Sequence, residues 1–60
     1  MRLGDFAKSI EDNSTAIRLD PTNATAYENR AIAYRELGDE ARAAADEKRA
    51  AAINSKAAPK

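Results

Sequence analysis

The chain has 60 residues, with ten lysines and arginines against ten aspartates and glutamates, so its net charge is zero. It contains no cysteine and no histidine, which excludes disulfides, thiolate metal sites and imidazole chemistry. Opposite charges are interleaved along the chain, leaving no electrostatic footprint for nucleic acid or an anionic membrane. No apolar run approaches the length of a transmembrane segment or a signal-peptide core. A chain this short makes one small domain at most, or a piece of a larger one. It buries only about 60% of its unfolded surface, so stability is marginal unless something staples it. With disulfides and thiolate or imidazole metal sites gone, the remaining staple is association, and we expect a homo-oligomer in which the exposed ends of two or more chains stack into a longer array. The missing cysteines suit a reducing cytoplasm.

The first predicted element is a helix over about residues 5–20. Asp5 is placed as its N-cap, and Phe6, Ile10, Asn13 and Ile17 recur at helical spacing with Ala16 alongside. The face is apolar except at Asn13. Leu19-Asp20-Pro21 closes the helix, because the residue before a proline is driven out of the helical region. Thr22 and Asn23 then offer capping side chains to the next helix. Were its start to slip inward, Thr25 and Glu28 would form a capping box.

The second helix is predicted over about residues 24–37. Stepping roughly 100° per residue places Ala24, Tyr27, Ala31 and Tyr34 in one stripe, which reads as core. The opposite side carries Thr25, Glu28, Asn29, Arg35 and Glu36, with one apolar intruder, Ile32. Gly38 is expected as the left-handed residue that ends the helix, and Asp39 as the cap of the next. The third helix, about residues 40–54, is alanine-rich and has high intrinsic propensity. Ala43, Ala44, Ala50 and Ala51 offer little area to bury, and Ile53 is its one large aliphatic residue. Ser55–Lys60 reads as frayed, with 58–60 as a tail beyond a helical unit spanning 1–57. Short connections favour antiparallel neighbours, so the expected fold is an all-α, three-helix antiparallel array.

The chain also repeats itself. An offset of 34 residues pairs Leu3-Gly4-Asp5 with Leu37-Gly38-Asp39, Ala7 with Ala41, Lys8 with Arg42 and Asp12 with Asp46. It further pairs Ala16 with Ala50, Leu19 with Ile53 and Asp20 with Asn54. The matches include a turn glycine, its capping aspartate and small residues where helices would cross. A 34-residue period of helix–turn–helix units is the signature of the tetratricopeptide repeat.

Gly4-Asp5-Phe6-Ala7-Lys8-Ser9-Ile10 followed by Ala16-Ile17-Arg18-Leu19-Asp20-Pro21 resembles the second helix of one tetratricopeptide repeat. Ala24-Thr25-Ala26-Tyr27, then Arg30-Ala31, Tyr34 and Gly38-Asp39, resembles the first helix and turn of the next. Glu40 to Ser55 fills the place of that repeat's second helix, giving about one and a half repeats. The departures are Arg30 in place of the usual leucine and Ser9 in place of alanine. In the last helix, Glu47 stands where a bulky aromatic is expected, Ala51 where leucine is common, and Ser55 where proline closes the repeat. The last helix therefore reads either as similar to a capping helix with a wet outer face or as simply a divergent second helix.

The resemblance implies a protein–protein interaction or scaffolding module, not an enzyme, that binds a peptide or helix of a partner protein. It implies that Thr25, Glu28, Asn29, Ile32, Arg35 and Glu36 line the groove. The subtype that grips a C-terminal carboxylate is disfavoured, because Glu28 replaces its lysine and Ile32 its asparagine. No cofactor is expected. Asp12, Asp46 and Glu47 read as single surface carboxylates, with Arg42 and Asp46 as an ordinary ion pair. Asn13-Ser14-Thr15 and Asn23-Ala24-Thr25 match the glycosylation acceptor pattern but read as helical and capping sequence. Two further readings stand beside this one. An excised or engineered fragment of a longer array would have no stand-alone function. A small nucleic-acid-binding helical protein is disfavoured by the neutral charge.

Overall fold

A computed structural model describes residues 3–57, with side chains for 4–56. Three helices follow in order: α1 (Leu3–Leu19), α2 (Ala24–Glu36) and α3 (Glu40–Ala57). Their ends are set by local chemistry. The Asn23 side chain accepts a hydrogen bond from the Ala26 amide at 3.1 Å, satisfying one of the free donors at the start of α2. Asn23 does the capping that the Thr25–Glu28 box would otherwise have done. At the other end, Gly38 adopts φ +87°. The Asp39 amide donates to the Tyr34 carbonyl at 2.9 Å and the Gly38 amide to the Arg35 carbonyl at 3.0 Å. This 6→1 and 5→2 pair is a Schellman stop. Asp39 then caps α3, its Oδ1 accepting from the Arg42 amide at 3.1 Å.

The turn from α1 to α2 is built by Asp20 ahead of Pro21. Asp20 Oδ1 accepts from the Thr22 hydroxyl at 2.7 Å and from the Thr22 amide at 3.1 Å. Those two bonds, the hydroxyl first, hold the Asp20 carboxyl below its usual range. Both asparagines of the glycosylation patterns have engaged amides: Asn23 as the cap, and Asn13 donating to the Ser9 carbonyl at 2.8 Å.

Two boundaries differ from the sequence reading by more than one residue. Helix α1 begins at Leu3, so Asp5 lies within its first turn instead of capping it. A carboxylate there still complements the positive end of the helix dipole. Helix α3 continues through Ser55 and Lys56 to Ala57. Nothing in that stretch stops a helix; the first stop signal is Pro59, and its steric restriction reaches back only one residue. The tail at 58–60 lies outside the described residues.

Helix α2 packs against both neighbours, while among the described residues no Cα of α1 comes within 8 Å of one in α3. Both pairs are antiparallel: in α2–α3 Glu47 meets Arg35 while Asn54 meets Glu28, and in α1–α2 Ser14 meets Arg30 while Phe6 lines one hollow with Ile32 and Ala33. The core is small. Tyr27 and Ala31 are buried and Tyr34 half-buried, as the predicted stripe requires, and Ala26 and Ala33 are buried on its flank. From α3, Ala43 and Ala50 are fully covered at 0% and 2% exposure, whereas Ala44 and Ala51 face outward. Phe6, Ile10, Ala16 and Ile17 of α1 are only half-buried.

The carboxylate of Asp46 belongs to this core, at 6% exposure. It is not a surface group paired with Arg42. Arg30 donates to it through Nε and Nη2, both at 2.8 Å, and donates through Nη1 to the Ser14 hydroxyl at 3.0 Å. The same guanidinium lies 5.6 Å from the Tyr27 ring centroid and 5.8 Å from that of Tyr34. One side chain of α2 thus ties α1 to α3. The bond to Asp46 raises the Arg30 pKa, with partial burial opposing it. Arg42 instead reaches Asp39 at 3.5 Å. The reason is register: Asp46 falls between Ala43 and Ala50 on the stripe that α3 turns inward, where only a bidentate partner makes burial of a charge tolerable.

Candidate functional site

The exposed side of α2 is the surface that the sequence singles out, and its geometry follows from what lies beneath. With the tyrosines and alanines of α2 turned inward, helical periodicity sends Thr25, Glu28, Asn29, Ile32, Arg35 and Glu36 outward. All six are exposed. Ile32 is 56% exposed, an apolar side chain among polar ones.

The neighbours divide this set into two margins. Toward α1, Asn29 and Ile32 join Ala33 and the α1 residues Phe6, Ser9 and Asn13 around a hollow of about 180 Å³. Its walls are apolar at Phe6, Ile32 and Ala33 and polar at the amides and the hydroxyl. Toward α3, Glu28 accepts from Asn54 Nδ2 at 3.2 Å. Arg35 donates Nε to Glu40 at 3.1 Å and Nη1 to Glu47. These bonds, Glu47 first and then Glu40, raise the Arg35 pKa, and the same pairing lowers that of Glu47 below its usual 4.5. Thr25 and Glu36 have no partner among the described residues. The six positions therefore form one face with an apolar margin on α1 and a charged margin on α3.

The polar cluster that reading the sequence missed is Arg30–Asp46–Ser14. Its signal was present in part: Ala43, Asp46, Ala50 and Ile53 recur at helical spacing, which places Asp46 on the buried stripe. Ser14 had no such signal. No carboxylate cluster suited to a metal ion occurs among the described residues, and no described helix is long and apolar enough to cross a membrane.

Comparison with known families matches residues 1–38 to the TPR repeat model. The chain belongs to the TPR repeat family. The matched residues cover α1, the turn, all of α2 and Gly38, so the whole outward face of α2 lies inside the TPR match. Helix α3 lies beyond it, in the place where a TPR unit has its second helix. TPR repeats are generally non-catalytic modules of protein–protein interaction. Searches of curated proteins and of solved structures returned no match.

Proposed function

We propose that this TPR unit is an interaction or scaffolding module that binds a peptide or helix of a partner protein along the outward face of α2. Thr25, Glu28, Asn29, Ile32, Arg35 and Glu36 make the contact, and self-association completes the array. The module needs no cofactor, works in the cytoplasm and engages neither nucleic acid nor membrane. The observation that carries the reading is the position of Ile32. It is the exposed apolar residue at the centre of a polar face, and it opens onto the Phe6–Asn29 hollow, so a partner side chain has both an anchor and a recess.

The test compares the intact chain with an Ile32→Asp variant in a pull-down, using circular dichroism to show that both are folded. Ile32 is preferred to Arg35 as the probe, because Arg35 also holds Glu40 and Glu47. Loss of the captured partners in the variant supports the face. Capture of the same partners by both proteins sinks it.

A further inference from the structure

The chain is neutral as a whole, yet its two exposed surfaces carry opposite charge. The outward face of α2 is acidic: Glu28 and Glu36 stand on it, Glu40 and Glu47 reach it from α3, and Arg35 is the single cation among them. The second surface lies where the turn after α1 meets the C-terminal half of α3. There a hollow of about 380 Å³ has Pro21, Ala52 and Ile53 as its apolar part and Thr22, Arg49 and Lys56 as its polar rim. No carboxylate lines it, and neither cation has an ion pair among the described residues.

The two surfaces also match in spacing. Arg49 and Lys56 are separated along α3 by about 10.5 Å, with Ile53 between them. Glu28 and Glu36 are separated along α2 by about 12 Å, with Ile32 midway. Each is an aliphatic residue flanked by two charges of one sign, and the signs are opposite.

We propose that the Arg49–Ile53–Lys56 hollow receives the Glu28–Ile32–Glu36 ridge of a second copy of this chain. The helices run antiparallel, so that Glu36 meets Arg49, Ile32 meets Ile53 and Glu28 meets Lys56. This rests on the self-association part of the proposed function and names the surfaces that carry it. Hollow and ridge are different parts of the molecule, so the contact is head-to-tail, and repetition gives an open string or a ring. Zero net charge removes the long-range repulsion that would keep copies apart. The contact covers the face of α2 on every copy whose ridge is seated, so in an open string the partner binds the copy whose ridge is left free at the end.

The test is sedimentation velocity over a concentration series. Three proteins are compared: wild type, the hollow variant Arg49→Glu/Lys56→Glu, and the ridge variant Glu28→Lys/Glu36→Lys. All four positions are exposed, and circular dichroism checks that the helices persist. Wild type is expected to associate, and less so as salt rises from about 0.05 to 0.5 M. Each variant alone is expected to associate at least about tenfold more weakly, because like charges then face each other. An equimolar mixture of the two restores association, since every hollow again meets a ridge of opposite sign. Variants that associate as wild type does, or a mixture that stays monomeric, overturn the surface assignment and leave self-association standing. A wild type that is monomeric throughout overturns both.

Discussion

The two seams of this small protein are made from opposite materials. The α1–α2 seam has the bulky residues, yet Phe6, Ile10 and Ile17 are only half-covered. The α2–α3 seam has alanines, and it is there that Ala43 and Ala50 are closed off from solvent. Small side chains let the helix axes approach, and at short range polar groups become effective. Asp46 takes the Arg30 fork, Glu47 takes Arg35, and Asn54 reaches Glu28. Area alone would have ranked the seams the other way. In this thin core the closed-off contact is made by small side chains and a nearly buried carboxylate held by a half-buried arginine, while large apolar side chains left half-wet contribute part of their potential.

The largest expected effect comes from breaking the charged centre. Asp46→Ala leaves the half-buried Arg30 without its carboxylate, and because Arg30 keeps part of its access to water the cost should lie below the roughly 3–5 kcal/mol of breaking a fully buried pair. A 60-residue domain has on the order of 3–9 kcal/mol in total, so the variant should still show a clearly lowered melting temperature by circular dichroism. The double change Arg30→Met/Asp46→Leu replaces the pair with apolar groups of similar reach and should recover most of the melting temperature. If Asp46→Ala melts like wild type, the comparison of the seams fails.

Phe6→Ala tests the other seam. Because Phe6 is half-buried, its cost in urea unfolding should fall below the roughly 3 kcal/mol typical of a fully buried phenylalanine. A larger loss would make the α1 seam the stronger one. Next comes Gly38→Ala. A Cβ at Gly38 meets nothing within 4 Å, so the penalty is conformational alone, about 1–2 kcal/mol from the positive φ. Asn23→Ala removes the cap of α2 and should cost about 1 kcal/mol.

The smallest effect belongs to Glu47→Gln on the exposed margin. The Glu47 pKa is lowered in the folded chain, so its pairing with Arg35 stabilises above the usual 4.5. That contribution disappears as pH falls through the lowered value. Melting curves of wild type and Glu47→Gln should therefore differ near neutral pH and converge in acid. Divergence that grows in acid would mean that Arg35 is not the governing partner.

Much of this fold is legible in the residue order. Asp20-Pro21, Asn23 and Gly38-Asp39 mark the helix ends because capping and turn chemistry act over three or four residues of backbone. The same locality explains why fraying from Ser55 overreaches: no stop signal acts until Pro59. The outward face of α2 was legible too, since the tyrosine stripe fixes its opposite side. Its division into two margins was not. Asn29 and Ile32 border a hollow only because Phe6 and Ser9 lie across it, and Glu28 and Arg35 lean away only because Asn54 and Glu47 do.

Residue order alone dictates three helices, the stops of the first two, the 34-residue repeat and the TPR resemblance. All of these depend on near neighbours and periodicity. Helix packing settles which alanines of α3 face inward, that Asp46 answers Arg30 instead of Arg42, and that Ser14 joins them. Those choices depend on the azimuth at which one helix meets another. Arg42 is near Asp46 along the chain, but Arg30 is the donor that crossing helices bring to a buried carboxylate, and burial makes that partner obligatory.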